Sequence, residues 1–315
     1  MHDKLDLSID IGYSNVKVVA GINGNICSEV FSSALAIAPR GSDSAAVAAT
    51  ETYLYDGTFY LCGKPAISPH VREQINCRSN DHIIKYAAVY IAAAARNANV
   101  ELHEIGALSV GLPFEMHRPY SQALREMLTS FTVNGETVTP TQLNVFCQGA
   151  AAAFAAGVEG QMTGENGLLI DIGGNTMIAI AASNGIPVSL GSQQFSKLGM
   201  LAAAEQLSRS LSNGTNCSLI KAAEIIKTRV YQGQDVSGQV NKALSNHAES
   251  IVAILEDTYG GQIDEMDTIL LSGGGADCIC PYLPAKWATR IKVQTEPITA
   301  NARGYYYRSQ GPREA

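Results

Sequence analysis

Short apolar runs that end in glycine-bearing turns recur along the chain. The sharpest is Leu168-Leu-Ile-Asp171-Ile-Gly173-Gly174-Asn175-Thr176. An apolar run of this length, bounded by turn residues, predicts a fully buried strand. Leu7-Ser-Ile-Asp10-Ile-Gly12-Tyr13-Ser14-Asn15 repeats the arrangement, its aspartate 161 positions earlier. Around that earlier copy, alternation predicts strands at 5–11 and 15–22, with Asn23-Gly24 as a two-residue turn into a third strand at 25–31. Residues 32–50 are rich in Ala, Ser and Gly, include Pro39 and Arg40, and carry no period; they read as a mobile excursion. A hairpin with aromatic cross-strand partners follows at 52–61, turning at Asp56-Gly57. Residues 32–80 together read as a subdomain inserted into a first lobe.

Helical periodicity begins at 81–97, with Asn80 or Asp81 as the cap. A buried strand at 107–112 is closed by Pro113. The stripe Tyr120, Ala123, Leu124, Met127, Leu128 and Phe131 predicts a helix over 118–130. A hairpin at 131–138, turning at Asn134-Gly135, and a strand at 141–147 lead to Gln148-Gly149 and an Ala-rich helix at 150–156. Residues 157–167, polar and glycine-spaced, suit a crossing to a second lobe. There, the strand ending at Asp171 is followed by strands at 177–182 and 186–194, joined at Asn184-Gly185. Helices are expected at 200–211, 217–230 and 236–259. The last carries Val240, Ala243, Leu244, His247, Ile251, Ile254 and Leu255 on one face, so His247 is a core or a catalytic histidine. A strand at 268–272 then ends in Gly273-Gly274-Gly275-Ala276. Meander, helix, strand, helix thus occurs twice, an internal duplication of architecture.

Composition narrows this picture. At 315 residues the chain exceeds a usual single domain, and 46% hydrophobic with 16% charged residues supports a large core. A net charge of -7 disfavours direct nucleic-acid binding, and no Lys/Arg run marks a basic patch. The opening residues pass straight into a strand pattern, so no signal peptide is expected. No apolar run reaches membrane-spanning length, the Ala-rich stretch 86–95 being too short. The seven cysteines lack zinc-ligand spacing, Cys278-Ile-Cys280 included. Reduced thiols, a cytoplasmic location and no membrane partner are the expectation.

Three turns carry candidate chemistry: 10–15, 171–176 and 273–276. A carboxylate, bare backbone N–H groups and small polar side chains at one strand end suit a phosphate with its magnesium ion, though Asp-x-Gly-Gly is also an ordinary turn. If the lobes face each other, the first two turns grip a polyphosphate from opposite sides. Mg²⁺ keeps several waters and takes one or two carboxylates, so one aspartate per lobe suffices. Lys17 reaches a phosphate as a point charge or is a solvated strand lysine. The third turn lacks an acid or hydroxyl and suits packing against a flat base or sugar. No Gly-x4-Gly-Lys-Ser/Thr is present, which excludes a P-loop enzyme.

Asp10-Ile-Gly12-Tyr13-Ser14-Asn15-Val-Lys17, Asp171-Ile-Gly173-Gly174-Asn175-Thr176 and Leu271-Ser-Gly273-Gly274-Gly275-Ala276 resemble the two phosphate motifs and the adenosine motif of the actin, sugar-kinase and chaperone-ATPase superfamily. Within it the chain is most similar to the ParM/StbA plasmid-segregation family of bacterial actins. Val110-Gly-Leu-Pro113, Ser196-Lys-Leu-Gly199-Met200 and Asn301-Ala-Arg-Gly304 add to the resemblance. It implies an α/β, actin-like (ribonuclease H-like) duplicated fold, each lobe a five-stranded mixed sheet flanked by helices. The expected domains are 1–160, with an insertion at about 32–80 and completed by 296–315, and 161–295.

The resemblance further implies an ATPase that polymerises head-to-tail, a contact that need not close. ATP, with GTP as the alternative, would be held with Mg²⁺ through water by Asp10 and Asp171. Gly12, Tyr13, Ser14, Asn15, Lys17, Gly173, Gly174, Asn175 and Thr176 would contact phosphates. Gly273, Gly274, Gly275 and Ala276 would lie against adenosine, and Lys227 and Thr228 near the ribose and base. Gln148 occupies the place of the residue that orients the hydrolytic water; ParM relatives tend to have Glu there and actin has Gln. An amide orients water but accepts protons poorly, so slow turnover is expected; the alternative is a simple helix cap. A ParR-type DNA-binding adaptor at the filament end would serve plasmid partition, with no direct nucleic-acid contact. The alternatives are a small-molecule kinase, with Glu115 as its base, and a non-hydrolysing scaffold. A chaperone ATPase is not expected, since no substrate-domain pattern follows the second lobe.

Overall fold

The structure, a computed structural model, describes residues 5–22, 25–38, 52–68, 71, 73–75, 81–211 and 217–311. The Asn23-Gly24 turn, most of the 32–50 excursion and the Asn80 cap lie outside them. The chain forms two compact units, Met1–Ala155 with Asn301–Ala315, and Ala156–Ala300.

In the first unit, β1 (Leu5–Ile11), β2 (Asn15–Ile22) and β3 (Asn25–Ser32) form an antiparallel meander. Strand β4 (Leu35–Ile37) lies in the stretch expected to be an irregular excursion. Leu35 and Ala36 are buried, and β4 pairs with β6 (Thr58–Cys62) and β7 (Gln74–Ile75). With β5 (Thr52–Tyr55) they make a small sheet ordered β5-β6-β4-β7. Three residues were too few to show alternation. The helix expected over 81–97 is two, α1 (Asp81–Lys85) and α2 (Ala87–Asn97). Tyr86 separates them with φ -118°, and its ring packs edge-on against Tyr60, centroids 5.4 Å apart. The small side chains of α2 are buried from Ala87 to Ala95.

Strand β8 (Ile105–Leu112) is buried at every position, as a near-continuous apolar run in a parallel pairing should be. Helix α3 (Phe114–Leu128) begins four residues before the expected 118, directly after Pro113, whose ring favours a helix start. Phe131, which continues the apolar stripe of that helix, opens β9 (Phe131–Val133), the start of the hairpin expected at 131–138. This strand pairs with β10 (Glu136–Val138) across Asn134 and Gly135, both at positive φ. Strand β11 (Gln142–Cys147) completes a main sheet ordered β11-β8-β1-β2-β3 among the described residues. Helix α4 (Ala150–Val158) follows it.

The second unit repeats the plan. Strands β12 (Asn166–Ile172) and β13 (Thr176–Ser183) are antiparallel. The single strand expected at 186–194 is two, β14 (Ile186–Pro187) and β15 (Gln193–Ser196), both on β13. The loop between them is tied back by Ser192, whose hydroxyl donates to the Val188 carbonyl at 2.5 Å and accepts from the Ala181 N–H at 3.1 Å. Helix α5 spans Met200–Leu211 and α6 spans Leu219–Thr228. Arg229, at φ 58°, ends α6 short of the expected 230 and leads into the hairpin β16 (Val230–Tyr231) and β17 (Gln234–Asp235). Helix α7 (Ser237–Tyr259) buries Val240, Ala243, Leu244, His247, Ile251 and Leu255, the face read from the sequence. Strand β18 (Thr268–Ser272), the short helix α8 (Ala276–Ile279) and β19 (Ile291–Val293) follow. The sheet order is β14-β13-β12-β18-β19 with β15 also on β13, so among the described residues it has six strands rather than five. Helix α9 (Ala300–Ser309) belongs, from Asn301 on, to the first unit. Gly304 lies so near the Ala151 carbonyl that an added Cβ would sit 1.9 Å from it. The six described cysteines are free thiols, and no described helix is long and apolar enough to cross a membrane.

Candidate functional site

Each unit carries one loop of the same construction. In the first, β1 delivers Asp10 to the strand end and the chain turns back at once, the Gly12 N–H donating to the Asn15 carbonyl at 3.0 Å. In the second, β12 delivers Asp171 and the Gly173 N–H donates to the Thr176 carbonyl at 2.9 Å. Both aspartates are buried, 2% and 7% exposed. A strand-end carboxylate beside a tight glycine turn thus occurs twice, as the repeated sequence required.

The surroundings of the two carboxylates differ. Antiparallel register sets Lys17 opposite Asp10, and its Nζ lies 2.8 Å from Asp10 Oδ2. Gln148, at the end of β11, donates from Nε2 to Asp10 Oδ1 at 2.6 Å. Both oxygens of the buried carboxylate are therefore hydrogen-bonded, one by a cation and one by an amide, which offsets desolvation of its charge. Three candidates named from sequence, Asp10, Lys17 and Gln148, meet at one point. In the second unit the residue opposite Asp171 is Ile178. Asp171 instead lies against the third turn: an added Cβ on Gly273 would sit 2.3 Å from Asp171 Oδ1. Gly273 adopts φ 79°, its N–H donating to the Pro297 carbonyl at 2.9 Å, and the Gly275 N–H donates to the Ile172 carbonyl at 2.9 Å. Among the described residues nothing lies within 4 Å of a Cβ at Gly274, so that turn presents bare backbone.

Both turns are held through their carbonyl groups. In the first unit the Tyr13 carbonyl accepts from the Ser33 hydroxyl at 2.8 Å and the Ser14 carbonyl from the Ser33 N–H at 3.1 Å. Tyr90 donates to the Ser33 carbonyl at 2.8 Å, and His82 packs between the Tyr13 and Tyr90 rings at 5.9 and 6.0 Å. In the second unit the start of α5 does this work. Gly199, Met200 and Leu201 donate their N–H groups to the carbonyls of Asn175, Gly173 and Gly174 at 3.3, 3.0 and 2.8 Å. The otherwise unsatisfied N–H groups of a helix start thus fix the loop. An added Cβ on Gly199 would sit 2.5 Å from the Gly174 carbonyl oxygen, so the close approach needs glycine.

Lys227 and Thr228 are exposed at the end of α6. The Lys227 charge is felt at Cys278, just past the Gly273-Gly274-Gly275-Ala276 turn, although burial dominates and raises that thiol. Glu115 is exposed at the start of α3. His247 is 1% exposed among apolar neighbours of α7, and burial holds its pKa below the usual value; it is a core histidine. Among the described residues no group of three or more His, Cys, Asp or Glu side chains is placed to hold a metal ion. The contacts of Ser33, Tyr90 and His82 were not anticipated. They join segments distant in sequence, and Ser33 fell in the stretch without periodicity.

Comparison with known proteins identifies the fold family. The family model for the N-terminal domain of actin-like proteins matches residues 8–150. That for the C-terminal domain of the archaeal, MreB-like actin homologue matches residues 169–284. The archaeal actin homologue Ta0583 superposes with a TM-score of 0.79 at 21% identity, over 97% of this chain and 99% of that one. Its complex with ADP gives 0.77 at 23% identity, over 96% and 98%. A 15-stranded ParM filament from Clostridium botulinum gives 0.75 at 18% identity, over 98% and 99%. No sequence among the curated proteins matches the chain. The two family models together span well over half of the 315 residues, and the chain belongs to the actin-like proteins.

Proposed function

We propose that the protein binds and hydrolyses ATP and assembles with ATP bound into head-to-tail filaments that hydrolysis destabilises. The observation that carries this reading is the pair of loops, each setting a buried aspartate beside a glycine turn with matching hydrogen bonding. Gly12, Tyr13, Ser14 and Asn15 would bind phosphate, as would Gly173, Gly174, Asn175 and Thr176. Gly273, Gly274, Gly275 and Ala276 would take the adenosine, with Lys227 and Thr228 nearby. Bound magnesium would neutralise phosphate charge. Asp10 already holds Lys17 and Gln148, so it would meet the ion through water, as would Asp171.

Gln148 would orient the attacking water through its amide oxygen, because its Nε2 is engaged by Asp10. A glutamate there would set two carboxylates together, which supports reading the amide as adapted to this site. Filament assembly is supported by the ParM filament among the structural neighbours, and nucleotide binding by the ADP complex. The net charge of -7 favours a basic DNA-binding adaptor over direct DNA contact, the arrangement plasmid segregation would use. Sedimentation with ATP, ADP and a non-hydrolysable ATP analogue tests the reading. Pelleting with ATP that decays as phosphate appears, and persistent pelleting with the analogue, is expected. No pelleting in any nucleotide state would refute filament assembly, and ATP turnover that waits for a second substrate would indicate a kinase.

A further inference from the structure

We infer that Asn301 is a positioning residue for Gln148, holding from the far end of the chain the peptide that aims the water-orienting amide. The inference rests on the proposed hydrolysis and names a residue through which that site is set. Gly149 follows Gln148 at φ 77°, and its carbonyl accepts the first hydrogen bond of α4, from the Ala153 N–H at 2.9 Å. It thus stands at the helix N-cap, where a side chain usually satisfies nearby N–H groups. Its own N–H donates to Asn301 Oδ1 at 2.8 Å, across 152 positions of sequence. Both residues are buried, and both belong to the first unit.

The consequence is that the peptide groups on both sides of Gln148 are fixed. The Gln148 N–H donates to the Leu112 carbonyl at 2.9 Å, and the Gly149 N–H to Asn301. A rotation of the second would swing the Gln148 side chain off Asp10. Asn301 is itself held in place, since Gly304 of the same helix sits against the Ala151 carbonyl with no room for a Cβ. Asn301 touches no reacting atom; it acts through the direction in which Gln148 points. Misplacement of a positioned group by about 1 Å costs up to roughly a hundredfold in rate, so a partial loss is expected when this hold is removed.

The test pairs Asn301→Ala, which deletes the acceptor, with Asn301→Asp, which keeps an acceptor oxygen near two helix starts that favour negative charge. For Asn301→Ala, kcat for ATP hydrolysis should fall about tenfold, with KM and ADP affinity within about twofold of the parent. Asn301→Asp should recover kcat to within about threefold. Amide hydrogen exchange over residues 147–153 gives a readout free of catalysis, and should quicken in Asn301→Ala but not in Asn301→Asp. If Ala prevents folding, Asn301→Ser, whose hydroxyl is too short to reach, takes its place. Unchanged kcat in the Ala or Ser variant, equal losses in Ala and Asp, or unchanged exchange would overturn the inference. A parent protein with no ATPase activity would instead sink the hydrolysis reading, while exchange would still decide whether Asn301 holds Gly149.

Discussion

The two units use one strand-and-turn plan and equip it differently. Asp10 sits opposite Lys17 and under Gln148, whereas Asp171 sits opposite Ile178 and against the backbone of Gly273. The first turn is held by side chains, Ser33, Tyr90 and His82, and the second by the first N–H groups of α5. The duplicated part is the backbone that can face a phosphate; the charge and the hydrogen-bonding side chains are particular to each copy. The first carboxylate thus carries a cation and an amide, and the second lies against glycine backbone.

Removing a carboxylate should have the largest effect. Asp171→Ala is expected to lower kcat/KM for magnesium-ATP by about a hundredfold or more. Parent-like turnover in steady-state assays would remove Asp171 from the site. Lys17→Met comes next, because it strands the buried Asp10 carboxylate; a loss on the order of 3 kcal/mol in denaturant unfolding is expected. Gly199→Ala forces a shift at the Gly174 carbonyl and should weaken nucleotide binding about tenfold in titration calorimetry. Gly238→Ala, with nothing within 4 Å of its new methyl, should leave binding unchanged. If both glycine variants bind equally, α5 does not hold the second loop.

The smallest effect concerns pH. His247 is kept neutral by burial, so its folded pKa lies below its unfolded value of about 6.5. Its contribution is intact above that value and is lost as pH falls below it, because the unfolded chain then binds the extra proton. The stability slope from this group should approach about 1.4 kcal/mol per pH unit below pH 6.5. His247→Phe should flatten that limb in unfolding titrations, and an unaltered profile would show that the group does not titrate in this range.

The duplicated plan was legible because Asp10 and Asp171 end apolar runs that only a covered strand tolerates. The pairing of Asp10 with Lys17 was also within reach, since a tight turn between them sets the two opposite. The contact of Gln148 with Asp10 was not, because it depends on β8 lying between β11 and β1, and strand order leaves no local mark. The break at Tyr86 is a tertiary effect of ring packing on Tyr60, invisible in an Ala-rich run that favours helix throughout. The pair β14 and β15 read as one strand because the excursion between them is tied by contacts with no local pattern, among them those of Ser192 and the Tyr259 hydroxyl on the Gly191 carbonyl. Asn301 could be placed near the chain's return, but its bond to Gly149 spans 152 positions and no pattern announces it.

The proposed role of the Asp10 loop rests most directly on Gln148. Single-turnover phosphate release at saturating ATP, measured beside ADP affinity for the parent and Gln148→Ala, decides it. The account predicts a rate lowered about a hundredfold with affinity within about twofold. An unchanged rate, or a loss of affinity equal to the loss of rate, would contradict it.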